Sequence, residues 1–238
     1  MIIAKLRYNL YTVIHRIKVV KFFNYIFDIL FREYCLGCNK SGVAVCVECV
    51  LRAEPAVEPN DMETWSAFAF HDKVIRKSIQ ALKYRRKGHI AEPLGIALYD
   101  RALELLGEKR LLWGLGPEER LIIIPVPLSD KRHRERGYNQ AELIAESFVK
   151  EDSCMSFMLH TDVLYKVRET ASQVSVKDRA KRLNNIRGAF EVKDNAPILD
   201  KYVVLLDDVT TTGATIAECK KRLLKAGAKE VFAITLAH

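Results

Sequence analysis

Nine consecutive residues, Asp207-Asp208-Val209-Thr210-Thr211-Thr212-Gly213-Ala214-Thr215, have the make-up of an anion site with an acidic rim. Hydroxyls and small residues at the start of a helix leave backbone N–H groups open to a phosphate, and the threonines add donors. Gly213 permits the close backbone approach that a bound phosphate requires. Two carboxylates just before such a cradle would repel a phosphate. They suit neighbouring hydroxyls instead, or a hydroxyl-bound Mg²⁺. An acidic pair beside an anion cradle therefore describes a sugar phosphate better than a bare phosphate. A helix N-cap followed by solvated threonines would explain one aspartate but not both.

A second cluster lies early in the chain. Four of the six cysteines form two C-x-x-C pairs, Cys35–Cys38 and Cys46–Cys49. Two such knuckles place four thiolates for a tetrahedral Zn²⁺ in a closed structural site. The seven residues between the pairs predict a compact ribbon. Disulfides and redox C-x-x-C chemistry are the alternatives; nothing indicates export, and tandem pairs beside short polar turns fit a metal better. Cys154 and Cys219 lie far off and read as ordinary structural cysteines.

These residues need elements to hold them. Tyr202–Leu206 is a β-branched and aliphatic run suited to a strand buried on both faces. A helical stretch, Ile216–Ala226, follows the threonines, Gly227 sits where a C-cap glycine belongs, and Val231–Leu236 is a second strand. Strand, loop, helix, strand is a parallel βαβ unit, whose ligands bind at the carboxyl ends of the strands. Leu121–Ile124 is another buried-strand run, closed by Pro125-Val126-Pro127. Behind it an Arg-rich turn carries Arg132, Arg134 and Arg136, then Gly137-Tyr138-Asn139-Gln140 and an amphipathic helix to about Lys150. Such a turn suits an extra anion such as a pyrophosphate, with a solvated basic turn as the plain alternative. Arg168–Phe190 is polar, basic and weakly periodic, as a mobile loop over an active site would be.

The chain has 238 residues, with 38 Lys plus Arg against 30 Asp plus Glu, a formal net charge of +8. The excess concentrates in residues 1–34, 73–87, 130–136 and 166–187. Concentrated positive charge predicts an anionic partner, a phosphorylated metabolite or a nucleic acid, unless these are solvated helix faces. Uncharged stretches such as Leu121–Ser129 are far shorter than the about 20 residues a membrane-spanning helix needs. No small-residue cleavage site follows the N-terminal apolar run, so the reading is a cytoplasmic protein. Ile3, Leu6, Leu10, Val13, Ile17 and Val20 form one apolar helix stripe among basic residues. That helix could dock on the body, pair with a partner or lie on an anionic membrane surface. Arg52–Thr64, with Pro55 and Pro59, reads as a linker.

Val204–Thr215 resembles the phosphoribosyl pyrophosphate (PRPP) motif of type I phosphoribosyltransferases. Together with Cys35–Cys49, Lys83-Tyr84, Pro125–Pro127, Arg134–Gln140 and the series Arg168, Gln173, Arg182, Asn185 and Gly188–Phe190, it resembles the ComF family from about residue 30 onward. The resemblance implies an α/β fold in which a helix and a small zinc ribbon precede a parallel-sheet, Rossmann-like type I phosphoribosyltransferase domain. The implied division is 1–34 amphipathic extension, 35–51 ribbon, 52–64 linker and 65–238 phosphoribosyltransferase domain. Asp207 and Asp208 would hold the ribose hydroxyls as the catalytic pair, and Thr210, Thr211, Thr212, Gly213, Ala214 and Thr215 the 5′-phosphate. Lys83, Arg134 and Arg136 would take the pyrophosphate side. Cys35, Cys38, Cys46 and Cys49 would bind structural Zn²⁺, and Mg²⁺ would enter with PRPP. The implied function is pentosyl transfer from PRPP by an amidophosphoribosyltransferase-like enzyme, linked to DNA uptake in competence or to nucleotide metabolism. The alternative is a non-catalytic nucleotide-sensing module that binds single-stranded DNA or a competence helicase. A third reading, nucleobase salvage, lacks a recognisable base-binding hood.

Overall fold

A computed structural model of the chain describes residues 32–57, 64–169 and 186–238. The N-terminal stripe, most of the basic loop after Glu169 and the second half of the linker lie outside those residues. The chain divides into two compact units at Cys46/Val47.

In the first unit the chain turns back on itself between Tyr34 and Ser41, which form an isolated antiparallel bridge. Cys35 N–H donates to the Lys40 carbonyl and Gly42 N–H to that of Glu33. Gly42 takes a positive φ of 91° at this turn.

The second unit opens with a short helix α1 (Val47–Leu51) and strand β1 (Thr64–Phe68). Helix α2 (Lys73–Tyr84) follows, capped by Asp72, whose carboxylate accepts from the Val74 and Ile75 amides. After a 3₁₀ turn come α3 (Ala91–Leu112), β2 (Leu121–Pro125), α4 (Asp130–Arg136), α5 (Gln140–Lys150) and β3 (Phe157–Leu159). An antiparallel hairpin, β4 (Leu164–Lys166) with β5 (Phe190–Val192), precedes β6 (Tyr202–Val209), α6 (Ala214–Lys225) and β7 (Glu230–Ala237).

Five strands form one parallel sheet in the order β1-β7-β6-β2-β3. Strand β6 is central, and its stretch Val203–Leu206 is wholly apolar and buried, as expected of a strand covered on both faces. Its Val203 and Leu205 pack with Ile216, Cys219 and Leu223 of α6 and with Val231 and Ala233 of β7. Helices α3 and α5 pack tightly on each other. A Cβ on Gly95 of α3 would lie 2.4 Å from Ser147 Cβ and 2.7 Å from the Ile144 carbonyl of α5. Tyr99, Phe148 and Phe157 interlock beside this crossing, with centroids 5.3–6.3 Å apart.

The topology places a crevice. From β2 the chain moves outward to β3, whereas from β6 it moves the other way to β7. The carboxyl ends of β2 and β6 therefore flank the switch point, where open parallel sheets bind ligands. Pro125 is in register with Leu206, and Val126 N–H donates to the Leu206 carbonyl at 2.8 Å.

Two local readings change. The Arg-rich stretch is a helix, α4, with Ser129 as its N-cap and Gly137 in the left-handed region (φ 87°) as its stop. The acidic pair belongs to β6, which continues to Val209 because Asp207 pairs with Thr235 and Val209 with Ala237. Residues 52–57 are anchored in part: Ala53 is buried and Pro55 bridges to Phe68.

Candidate functional site

At the switch point lies a cavity of about 120 Å³, walled by the carboxyl ends of β2 and β6, by α4 and the start of α5, and by Lys83 and Lys166. Asp207, Asp208 and Thr215 line it from the β6–α6 side, and Val126, Pro127, Arg132, Arg136, Asn139 and Gln140 from the β2 side. Consecutive strand residues face different neighbours, and the two carboxylates do so here. Asp208 is 7% exposed and pairs with Lys83 from the last turn of α2, Nζ to Oδ2 2.9 Å. Asp207 Oδ1 accepts the Asp208 N–H at 2.8 Å. Burial, and then the charge of Asp208, push the Asp207 carboxyl up from 3.8 to about 8, although Lys83 pulls it down. Two carboxylates this close resist ionising together, which favours the protonated form of Asp207.

The threonine turn forms a narrow hollow continuous with this end of β6, lined by Asp207 and by Val209 through Ile216. Gly213 is the N-cap of α6 with φ 71°, a conformation that favours glycine, and the helix starts at Ala214. Among the described residues, no atom beyond its chain neighbours comes within 4 Å of a Cβ built on Gly213, so backbone shape and not crowding calls for glycine. Thr212 Oγ1 is buried with no hydrogen-bond partner among the described residues. A buried hydroxyl left without a partner is rare in folded proteins, and this one sits beside a helix N-terminus, whose open N–H groups favour anions.

Cations complete the lining. Arg132 and Arg136 lie four residues apart on α4 and share the cavity face, whereas Arg134 is exposed and outside the lining. Arg136 donates from Nη1 to Gln140 Oε1 at 2.6 Å and lies over the Tyr84 ring, 5.8 Å from its centroid. Asn139 ties the wall together: its Nδ2 donates to the Val126 carbonyl, and its Oδ1 caps α5 at the Ala141 amide. Lys166, which sequence reasoning did not single out, sits 5.4 Å over the Phe190 ring. Burial first, and Arg132 second, lower its ammonium pKa, opposed in part by Glu169, Cys219 and Asp207. The cavity is therefore lined by two acids and four cations, with Lys83 on Asp208 and Lys166 close enough to Asp207, Cys219 and Arg132 for their charges to act on it.

In the ribbon, the four cysteine Sγ atoms all lie within 4.8 Å of one another. Cys46 Sγ is 3.6 Å from Cys35 Sγ and 3.7 Å from Cys38 Sγ. Zn–S bonds of 2.3 Å in a tetrahedron put sulfurs about 3.8 Å apart, so the spacing fits zinc and not a disulfide. Burial raises the Cys35 thiol, but N–H donors from Cys38, Gly37 and Cys46 outweigh it and bring the pKa to about 6. Metal binding requires the thiolate.

Among the described residues, no helix is long and apolar enough to cross a membrane. A cluster of four cysteines that could hold a metal ion and a parallel α/β unit with a polar cavity at its switch point define the class of protein: a cysteine ribbon joined to an α/β sheet domain. No protein-family model matches the chain. It is 34% identical over 205 residues to the DNA utilization protein YhgH of Shigella flexneri, covering 83% of this chain and 85% of that protein. It is 34% identical over 155 residues to competence protein F of Haemophilus influenzae, covering 64% and 63%. It spans 62% of the length of YhgH from Escherichia coli O157:H7. The chain belongs to the ComF family, which includes these DNA utilization and competence proteins. Among solved structures, a hypoxanthine phosphoribosyltransferase of Trypanosoma cruzi aligns over 60% of this chain and 64% of that one, at 8% identity and a TM-score of 0.38.

Proposed function

We propose that the cavity binds PRPP with Mg²⁺, that residues 65–238 act as its phosphoribosyltransferase domain, and that the protein works in the cytoplasm. The observation that carries this reading is the juxtaposition at one switch point of an acid pair, a helix-start cradle with a hydroxyl that has no partner among the described residues, and a set of cations lining the same cavity. Thr210 through Thr215 receive the 5′-phosphate, and Asp207 with Asp208 receives the ribose hydroxyls. Arg136 and Lys83 serve the pyrophosphate side; the geometry favours Arg132 and Lys166 there over Arg134.

The reaction is displacement at ribose C1. A nitrogen nucleophile forms the C1–N bond while the C1–O bond breaks, and its electron pair leaves with pyrophosphate. Bound Mg²⁺ would neutralise charge on that leaving group. The cations of this chain do the same by position, and fixed charges in a partly enclosed cavity are worth more than in bulk water. The zinc ribbon is structural.

Calorimetric titration of PRPP, with and without Mg²⁺, tests the proposal. Metal-dependent binding that Asp208→Asn abolishes, in a folded and zinc-loaded protein, is the expected result. Equal affinity of the variant and the native protein refutes it. A non-catalytic nucleic-acid role draws on another feature: Tyr84 is 71% exposed within the basic run Lys83–Lys87. Single-stranded DNA affinity that falls steeply with salt, and is lost on neutralising Arg85, Arg86 and Lys87, would favour that role. A DNA-uptake setting with a helicase partner belongs to the same reading.

A further inference from the structure

Gln140 is the first residue of α5, lines the cavity and is 1% exposed. Its amide orientation is dictated by chemistry, because Arg136 can only donate and the atom 2.6 Å from Arg136 Nη1 must be the oxygen. The nitrogen, Nε2, is then a buried donor with no hydrogen-bond partner among the described residues. Buried donors left without partners are rare and disfavour the fold. A glutamate at this position would pair with Arg136 more strongly, yet it would cancel the arginine's charge. The amide instead orients the guanidinium and leaves its charge available.

We propose that Gln140 is a specificity-determining residue: it holds Arg136 uncompensated, and its free N–H group donates to the same oxygen-rich, anionic group of the ligand that Arg136 attracts. The inference rests on the reading of the cavity as a PRPP site and concerns only the end away from the sugar. The last side-chain torsion of glutamine is soft, so a small tilt opens Nε2 to the cavity while Oε1 keeps Arg136. The sugar end is untouched, since acids and cradle belong to β6 and α6. Gln140 therefore separates ligands carrying a second anionic group from those with only the 5′-phosphate.

The experiment titrates PRPP, inorganic pyrophosphate and ribose 5-phosphate, each with Mg²⁺, into the native protein, Gln140→Glu and Gln140→Met. Gln140→Glu puts a carboxylate where the donor was, and is expected to weaken PRPP and pyrophosphate by about tenfold or more. Ribose 5-phosphate should stay within about twofold, as its contacts lie elsewhere in the cavity. Gln140→Met removes the donor without adding charge, so about a threefold loss for PRPP is expected. Thermal melts of both variants establish that they fold. Equal losses for PRPP and ribose 5-phosphate would mean a merely structural role and overturn the inference, as would unchanged PRPP binding in Gln140→Glu. A native protein that binds neither sugar phosphate, with Asp208→Asn alike, overturns the PRPP reading and this inference together.

Discussion

Replacing Asp207 by asparagine measures how far the acid pair works against the ligand-free fold. Burial, and then the Asp208 charge, lift the Asp207 carboxyl from 3.8 to about 8. A carboxyl raised on folding keeps its proton in the folded chain over a range where the unfolded chain has lost it. Its contribution is full below pH 4, falls as pH rises, and is gone above about pH 8. One proton gives a slope of at most about 1.4 kcal/mol per pH unit. Between pH 6 and pH 9 roughly two units of that window remain, which corresponds to about 2–3 kcal/mol at full burial. Asp207 keeps some contact with water, so about 2 kcal/mol is the working figure. Asparagine preserves the shape and still accepts the Asp208 N–H, but does not titrate. Urea denaturation of both proteins at pH 6 and pH 9, in reducing buffer with saturating zinc, isolates the effect as a difference of differences. The native protein should lose about 2 kcal/mol more than Asp207→Asn across that interval. Parallel losses in the two proteins would refute the electrostatic account.

Three further outcomes follow from the geometry. Gly95→Ala should destabilise the protein by about 2–3 kcal/mol in denaturant titrations, because the clash with Ser147 and the Ile144 carbonyl outweighs the gain in helix propensity of about 1 kcal/mol. Arg132→Ala should weaken PRPP by about tenfold while Arg134→Ala changes it less than about twofold, a contrast that calorimetry reads directly. Reduced protein should carry one zinc per chain by atomic absorption, and Cys46→Ser should lose it; retention of the metal by the variant would count against the four-sulfur site.

Much of the site was legible in residue order because its chemistry is local. The strand, acid pair, threonine turn and helix run through 24 consecutive residues, Tyr202–Lys225, and each leaves its own mark. The β2 end was legible through Leu121–Ile124 and the prolines. What escaped notice depended on phase or on distance. Arg132, Arg134 and Arg136 look equivalent as a turn, but on a helix the first and third share a face and the second turns away. Ser129 as cap and Gly137 as stop were the signals that α4 is a helix. Lys166 had no such signal: a lone lysine in a three-residue strand becomes a site residue only because the hairpin with Phe190–Val192 folds it over the cavity. The extension of β6 to Val209 likewise depends on its partner β7, which pattern reading of one segment does not see.

The closeness of α3 and α5 at Gly95 has a mechanical consequence for the cavity. With no room for even a methyl group at the crossing, the two helices are clamped, and neither slides or tilts without the other. Asn139 and Gln140, at the start of α5, therefore stand on a stiff abutment. Compliance in the site falls to the pair of three-residue strands, β4 and β5, that carries Lys166 and to the single-helix support of Lys83. Relaxation-dispersion NMR should find slow exchange in those two places and a quiet α3–α5 pair.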